Sequence, residues 1–385
     1  MRPGRDGGVV LLSGLRRQPA AASIQVTIDR PVAIGHATAD GPVPETADSF
    51  LAAALLPAMA KGARLRSEAA VSAPMAAAVE KVQTVLAAWY PELTRVAVDA
   101  PVRQGATTRD GDLVAAFFSG GVDSFYTVLK HQDELDALVF IHGFDIRMER
   151  TAVRSACSRL ARAAAAALGL SLVEVETNLR SFSRSHVGWG AYHGSALASV
   201  ALFLGGRFRR IHVPGSLSYD SHFPHGSHPL LDPLWTTADV ELVYDGFEAN
   251  RFEKTSLVAS SSEALRLLRV CNRSHRAPGA GVNCGRCEKC LRTMVALRAL
   301  GVLDACQTFP MRLELDLIPD VLAERDATCL ELWEQNLRAA EEADRDAELS
   351  GVLRAALRNR PRARGREHLG WRPGRVRSIR QQGGR

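Results

Sequence analysis

The chain has 385 residues, 46% of them apolar and 23% charged, with a formal net charge of +6. That length predicts two or three globular domains with real cores, and the composition excludes a wholly disordered chain. No uncharged apolar run reaches the roughly 18 residues of a membrane span. The arginine-bearing start with its broken apolar stretch does not read as a secretory signal, so a cytoplasmic protein is expected.

Charge is unevenly spread along the chain. From Arg354 to Arg385 eleven arginines face one acid, Glu367, so the tail carries +10 and the rest of the chain −4. Seven cysteines, three of them within seven residues, point to metal in a reducing compartment and not to a disulfide framework.

In chain order, residues 1–110 read as a separate N-terminal α+β domain without evident chemistry. "SIQVTI" alternates like a short strand, "TADSFLAAALLPAMAKG" and "APMAAAVEKVQTVLAAWYPEL" read as helices, and "TRVAVDAPV" as a returning strand. From residue 111 to about 265 the pattern becomes βα alternation. The strands are "LVAAFF", "ALVFIH", "LVEVET", "RRIHVPG" and "DVELVYDG", with helical segments between them. Continuous apolar strands separated by helices predict a parallel sheet covered on both faces, here an α/β fold with a doubly wound five-stranded sheet. Residues 266–350 read as a metal-binding and helical region. The Arg-, Gly- and Pro-rich segment 351–385 reads as a disordered basic tail that could touch nucleic acid, although a solubilising role is favoured.

The first strand runs into Ser119-Gly120-Gly121-Val122-Asp123-Ser124, which opens the first helix. Two glycines let the backbone approach an anion closely, and their amides with the helix N-terminus favour negative charge. Ser119 and Ser124 add hydroxyl donors, while Asp123 could hold Mg²⁺ or cap the helix. Neither G-x-x-x-x-G-K-[ST] nor G-x-G-x-x-G occupies this turn. Downstream, "CNRSHRAPGAGVNCGRCEKC" sets Cys271, Cys284, Cys287 and Cys290 at a spacing that can close a tetrahedral Zn²⁺ site, with an iron–sulfur cluster as the alternative. His222, His225 and His228 follow the fourth strand as candidate acids or bases, at a spacing too loose for a metal site.

The S-G-G-x-D-S loop resembles the signature of the PP-loop ATP pyrophosphatases. Together with "C…CGRCEKCLR" it is similar to the 7-cyano-7-deazaguanine synthases, over roughly residues 112–300. The resemblance implies ATP bound over Ser119, Gly120, Gly121, Val122, Asp123 and Ser124, with Mg²⁺ on the triphosphate. It implies adenylation of an acceptor oxygen with release of pyrophosphate. Gly143 and Asp145 would lie beside the adenine, Lys254 would reach the phosphates, and Asp123, Ser124 and Lys254 would serve catalysis. Arg292 continues the cysteine motif, and Gly215 to Asp220 keep the family spacing. Tyr192-His193 stand where those enzymes carry an Arg-Asn pair, which implies a different small-molecule acceptor with ammonia, an amine or sulfur as donor. A tRNA-thiolating enzyme and a non-catalytic nucleotide sensor or scaffold are the alternatives, and the assembly could be a homodimer.

Overall fold

The computed structural model describes residues 15–17, 23–26, 46–105 and 111–359, apart from 185, 278–280, 310–311, 324 and 326. The N-terminal part contains β1 (Leu15–Arg17), β2 (Ser23–Val26), α1 (Asp48–Lys61), β3 (Arg64–Arg66), β4 (Val71–Ser72), α2 (Ala73–Trp89), β5 (Val98–Asp99) and β6 (Val102–Arg103). Ser72 caps α2 by accepting from the Met75 N–H at 3.3 Å, and the helix stops just before Pro91. Gly62 ends α1 in the left-handed region at φ +59°, closing the last turn onto the Ala58 and Met59 carbonyls.

The central part alternates strand and helix as expected. It runs β7 (Leu113–Phe117), α3 (Val122–Lys130), β8 (Ala137–His142), α4 (Thr151–Ala167), β9 (Ser171–Glu176), α5 (Leu179–Ser183) and α6 (Trp189–Phe203). It continues with β10 (Phe208–Pro214), a 3-10 turn at Asp232–Trp235, β11 (Glu241–Asp245), α7 (Arg251–Ala259) and α8 (Ser262–Leu267). The five strands β7 to β11 form one parallel sheet in the order β11-β10-β7-β8-β9. The order therefore reverses between β7 and β10, which leaves a crevice at their carboxyl ends.

Strand alternation decides which core each residue enters. Ala115 and Phe117 of β7 are buried with residues of α6 and α1, whereas Val114 and Ala116 join those of α3 and α4. Helices on both faces explain why the central strands β7 and β8 are almost wholly apolar, while β9, β10 and β11 admit charged residues.

Residues 1–110 were expected to stand apart, yet α1 shares the core of the sheet. The Tyr192 hydroxyl on α6 donates to the Ala53 carbonyl at 2.8 Å, and Ser195 Oγ donates to the Ala52 carbonyl. Leu51, Leu55, Leu56 and Met59 of α1 are buried, each worth about 1.5–3 kcal/mol. The reason is compositional: α1 is apolar all round, so it has to be covered on every side.

The C-terminal part carries α9 (Glu288–Ala299), α10 (Leu317–Ala323), α11 (Ala327–Ala343) and α12 (Ala347–Arg358) around a separate core that includes Leu291, Trp333 and Leu353. The tail expected from residue 351 thus begins as helix. Leu353, Ala356 and Leu357 recur at helical spacing and are buried, which outweighs the arginines among them. The remainder, 360–385, lies outside the described residues. Among the described residues no helix is long and apolar enough to cross a membrane.

Candidate functional site

The loop between β7 and α3 turns at Gly120, whose φ of +77° is a left-handed conformation open to glycine. Its carbonyl accepts from the Arg269 N–H at 2.7 Å. Ser124 Oγ donates to the Gly121 carbonyl at 3.0 Å and lies 3.4 Å from Ser119 Oγ, which accepts from the Gly121 N–H at 3.3 Å. The two serines so close the loop on itself through long bonds, and an incoming anion would compete for the same donors.

Ser119, Gly121, Val122 and Asp123 form one wall of a cleft. Gly120 and Ser124 are not among its lining residues. Across it stand Arg251, Arg269, Lys289 and Arg292, with Asp145 beside them. Four cations against two carboxylates make this a cleft for negative charge. Arg251 Nε, Arg269 Nε and Arg292 Nη1 are buried without a hydrogen-bond partner. Orphaned buried donors of this kind are costly, and an anion in the cleft would satisfy them.

These cations come from known neighbours in sequence. Arg269 precedes Cys271 by two residues; its Nη1 donates to the Ser119 carbonyl at 3.3 Å and its Nη2 to the Cys271 carbonyl at 3.1 Å. Lys289, Arg292 and Thr293 recur at i, i+3 and i+4, one face of α9, and all three line the cleft. Residue spacing on α9 was the signal that could have found Lys289. Arg251 carries none beyond its place at the start of α7.

Asp123 accepts from Arg251 Nη2 at 2.8 Å through Oδ2, while its Oδ1 is buried without a hydrogen-bond partner, 3.9 Å from Lys254 Nζ. Lys254 is 1% exposed and donates to the Gly215 carbonyl at 2.8 Å and to that of Leu217 at 3.4 Å. Burial pulls its ammonium down to about 8, against the opposing charge of Asp123. It stands behind Asp123 and does not line the cleft. Gly143 has φ +96°, and a Cβ there would fall 1.9 Å from the Thr177 carbonyl oxygen. Close backbone approach explains this glycine; it too lies off the cleft.

The four cysteines are buried together, their sulfurs all within 4.8 Å of one another. Cys271 Sγ lies 3.7 Å from Cys287 Sγ, and Cys284 Sγ lies 4.0 Å from Cys290 Sγ. Thiolates on one tetrahedral ion at about 2.3 Å would be about 3.8 Å apart, so the set fits a metal ion such as zinc. The hydrogen bond to Cys271 pushes the Cys287 thiol up to about 12 while Cys271 itself is lowered, and four thiolates this close would repel one another unless a cation sat among them.

The loop histidines gather elsewhere at the carboxyl end of the sheet. His193 and His225 have ring centres 4.3 Å apart, and His228 sits 4.8 Å from the Trp89 ring and 5.9 Å from that of His222. Burial lowers His193 to about 3 and His228 to about 4, and lowers His225 too, so these rings are uncharged near neutrality. Tyr192 is fully buried under α1 and is a docking residue.

Compared with models of known protein families, with curated proteins and with solved structures, the chain matches none.

Proposed function

We propose that the protein is an ATP-dependent adenylating enzyme of the PP-loop type, built on a doubly wound sheet. It would split ATP into AMP and pyrophosphate to activate a carboxylate or amide oxygen for attack by ammonia, an amine or sulfur. The observation that carries this reading is the Ser119–Ser124 loop, opening α3 beside the β7/β10 reversal and facing a cleft with four cations. Helix N-terminus, glycine backbone and guanidinium groups converge on one anion-sized space.

The residues divide the work by position. The α3 N-terminus and Ser119 would hold the phosphates from one side, and Arg251, Arg269, Lys289 and Arg292 from the other. Asp123 Oδ1, free of hydrogen bonds, fits Mg²⁺, which when bound would neutralise part of the triphosphate charge. Lys254 fixes the Gly215–Leu217 backbone next to Asp123. Sulfur separations near 3.7–4.0 Å favour a single zinc ion over an iron–sulfur cluster, whose irons would hold the thiolates further apart. The zinc would be structural, setting Arg269 and α9 against the loop.

The test is nucleotide product analysis with a panel of carboxylate acceptors and ammonia. AMP and pyrophosphate in equal amounts support the reading. Acceptor-dependent ADP and orthophosphate would remove it.

A further inference from the structure

A second cluster lies at the far end of α3, outside the cleft and outside every motif described above. His131 caps the end of α3, His212 lies on β10 and Asp245 closes β11. The register brings the strand residues together: Asp245 pairs with Pro214, two residues beyond His212 and therefore on the same face. Ile211 and Val213 belong to the opposite core.

His131 is flanked by carboxylates on both nitrogens, Nδ1 at 2.7 Å from Glu134 Oε1 and Nε2 at 2.9 Å from Asp245 Oδ1. A neutral imidazole carries one N–H, so one of these contacts would set a nitrogen lone pair against an anionic oxygen. The Lys130 ammonium, 2.9 Å from the same Asp245 oxygen, shares that contact, and a metal ion taken up by the imidazole nitrogen and the carboxylate would relieve it. His212 is stacked on His131 with ring centres 4.2 Å apart and is 3% exposed. Its Nδ1 has no partner, and its Nε2, although 3.1 Å from Glu134 Oε1, is not aligned for a hydrogen bond. A buried imidazole that makes no hydrogen bond, beside a doubly carboxylated one, is an unspent ligand.

We propose that His131, His212 and Asp245 form a second metal site that takes a divalent transition-metal ion of borderline softness, such as Zn²⁺ or Co²⁺. Ligand atoms of the three side chains lie within 4.8 Å of one another. Ligands on a tetrahedral ion with bonds of about 2.0–2.1 Å stand about 3.3 Å apart, so the stacked imidazoles would have to turn until their nitrogens converge on the ion. Imidazole nitrogens select such ions over Mg²⁺ or Ca²⁺. Glu134, on the other nitrogen of His131, supplies the carboxylate that commonly orients a ligating histidine. His131 is the most exposed of the three ligands, 21% against 3% for His212 and 5% for Asp245, and gives the ion a route in. Lys130 Nζ lies 2.9 Å from Asp245 Oδ1 and also contacts Glu248, to which it can retreat when the ion arrives. The ion would tie the end of α3, whose beginning is the Ser119–Ser124 loop, to β10 and β11.

Full-length protein with its cysteine site loaded would be titrated with Co²⁺, followed by calorimetry and absorbance. One further ion per chain is expected, without thiolate-to-cobalt charge-transfer bands. His212→Gln and Asp245→Asn should each weaken it at least tenfold, and Glu134→Gln by about 10–100-fold. Lys130→Met, which removes the competing ammonium, should bind as tightly or more so. No further ion in the wild type overturns the site, as do thiolate bands or unchanged binding by His212→Gln. If Asp245→Asn does not fold, judged by circular dichroism, His212→Gln decides alone.

Discussion

Asp123 and Arg251 are joined by a 2.8 Å hydrogen bond that occupies one carboxylate oxygen and leaves the other buried at the cleft without a hydrogen bond, 3.9 Å from the Lys254 ammonium. The pair fixes the orientation of Asp123 without exhausting its capacity to bind a cation. Asp123→Asn keeps the shape and the Arg251-facing oxygen but removes the charge. Mg²⁺-dependent ATP turnover should fall on the order of 100-fold or more, with the circular dichroism spectrum unchanged. Turnover within tenfold of wild type would mean that Mg²⁺ is held elsewhere.

Arg292 comes to the cleft from the cysteine-bearing helix, with Nε 2.8 Å from Glu288 and Nη1 without a partner. Charged hydrogen bonds of this kind are worth about 1.5–3 kcal/mol. Arg292→Met should therefore weaken ATP or pyrophosphate binding by about 10–150-fold in calorimetry, with metal content unchanged. Arg286→Gln removes the same charge from the cysteine loop, where Arg286 pairs with Glu314 on the surface, and should leave affinity within about twofold. Equal losses in both variants would reduce the effect to net charge.

The sheet was readable because β7 and β8 are nearly continuous apolar runs, the other strands are rich in β-branched and apolar residues, and helices separate them at regular spacing. The loop and the cysteines were readable because both are local: neighbouring residues in sequence make the site. What sequence left hidden is non-local. The docking of α1 depends on Tyr192 meeting a carbonyl 139 residues away. Arg269 reaches Ser119 across 150 residues. The His131–His212–Asp245 cluster joins a helix end to two strands, and no spacing rule brings those three together. Lys254 is expected from the family resemblance to reach the phosphates; burial instead puts it behind Asp123, 3.9 Å from the carboxylate, and outside the cleft lining.

Asp232 links pH to the loop that holds the histidines. It is 2% exposed, accepts from Ser227 Oγ at 2.6 Å, and burial raises its carboxyl from 3.8 to about 7. Between pH 4 and 7 the folded chain keeps a proton here that the unfolded chain has lost, so this position loses stability as pH rises through that window. Asp232→Asn cannot ionise and can still accept from Ser227. The variant should be more stable than wild type at pH 8, on the order of a few kcal/mol, with the gain shrinking towards pH 4. Calorimetric melting at the two pH values checks it, and an equal Tm at pH 8 would show that the carboxylate is better solvated than its burial implies.

The last prediction concerns where the chain can be cut. Leu349, Leu353, Ala356 and Leu357 of α12 are buried against α10 and α11, and Asp346, which caps α12, pairs with Arg298 of α9 at 2.6 Å. Ending the chain after Ser350 deletes three of those four apolar side chains and most of the helix. At about 1.5–3 kcal/mol for each leucine, the loss is comparable with the whole stability of a marginal domain. The C-terminal core should then open, and because α9 carries both Cys290 and Arg292, metal content and nucleotide binding should fall with it. Ending the chain after Asn359 removes nine of the eleven tail arginines while leaving α12 whole. That form should keep its melting temperature, its metal and its ATP turnover. Melting curves and metal analysis of the two truncations test the boundary directly. Loss of turnover with the fold intact in the longer form would assign the basic segment a part in the reaction, and salt-sensitive tRNA binding confined to the full chain would favour the thiolation alternative.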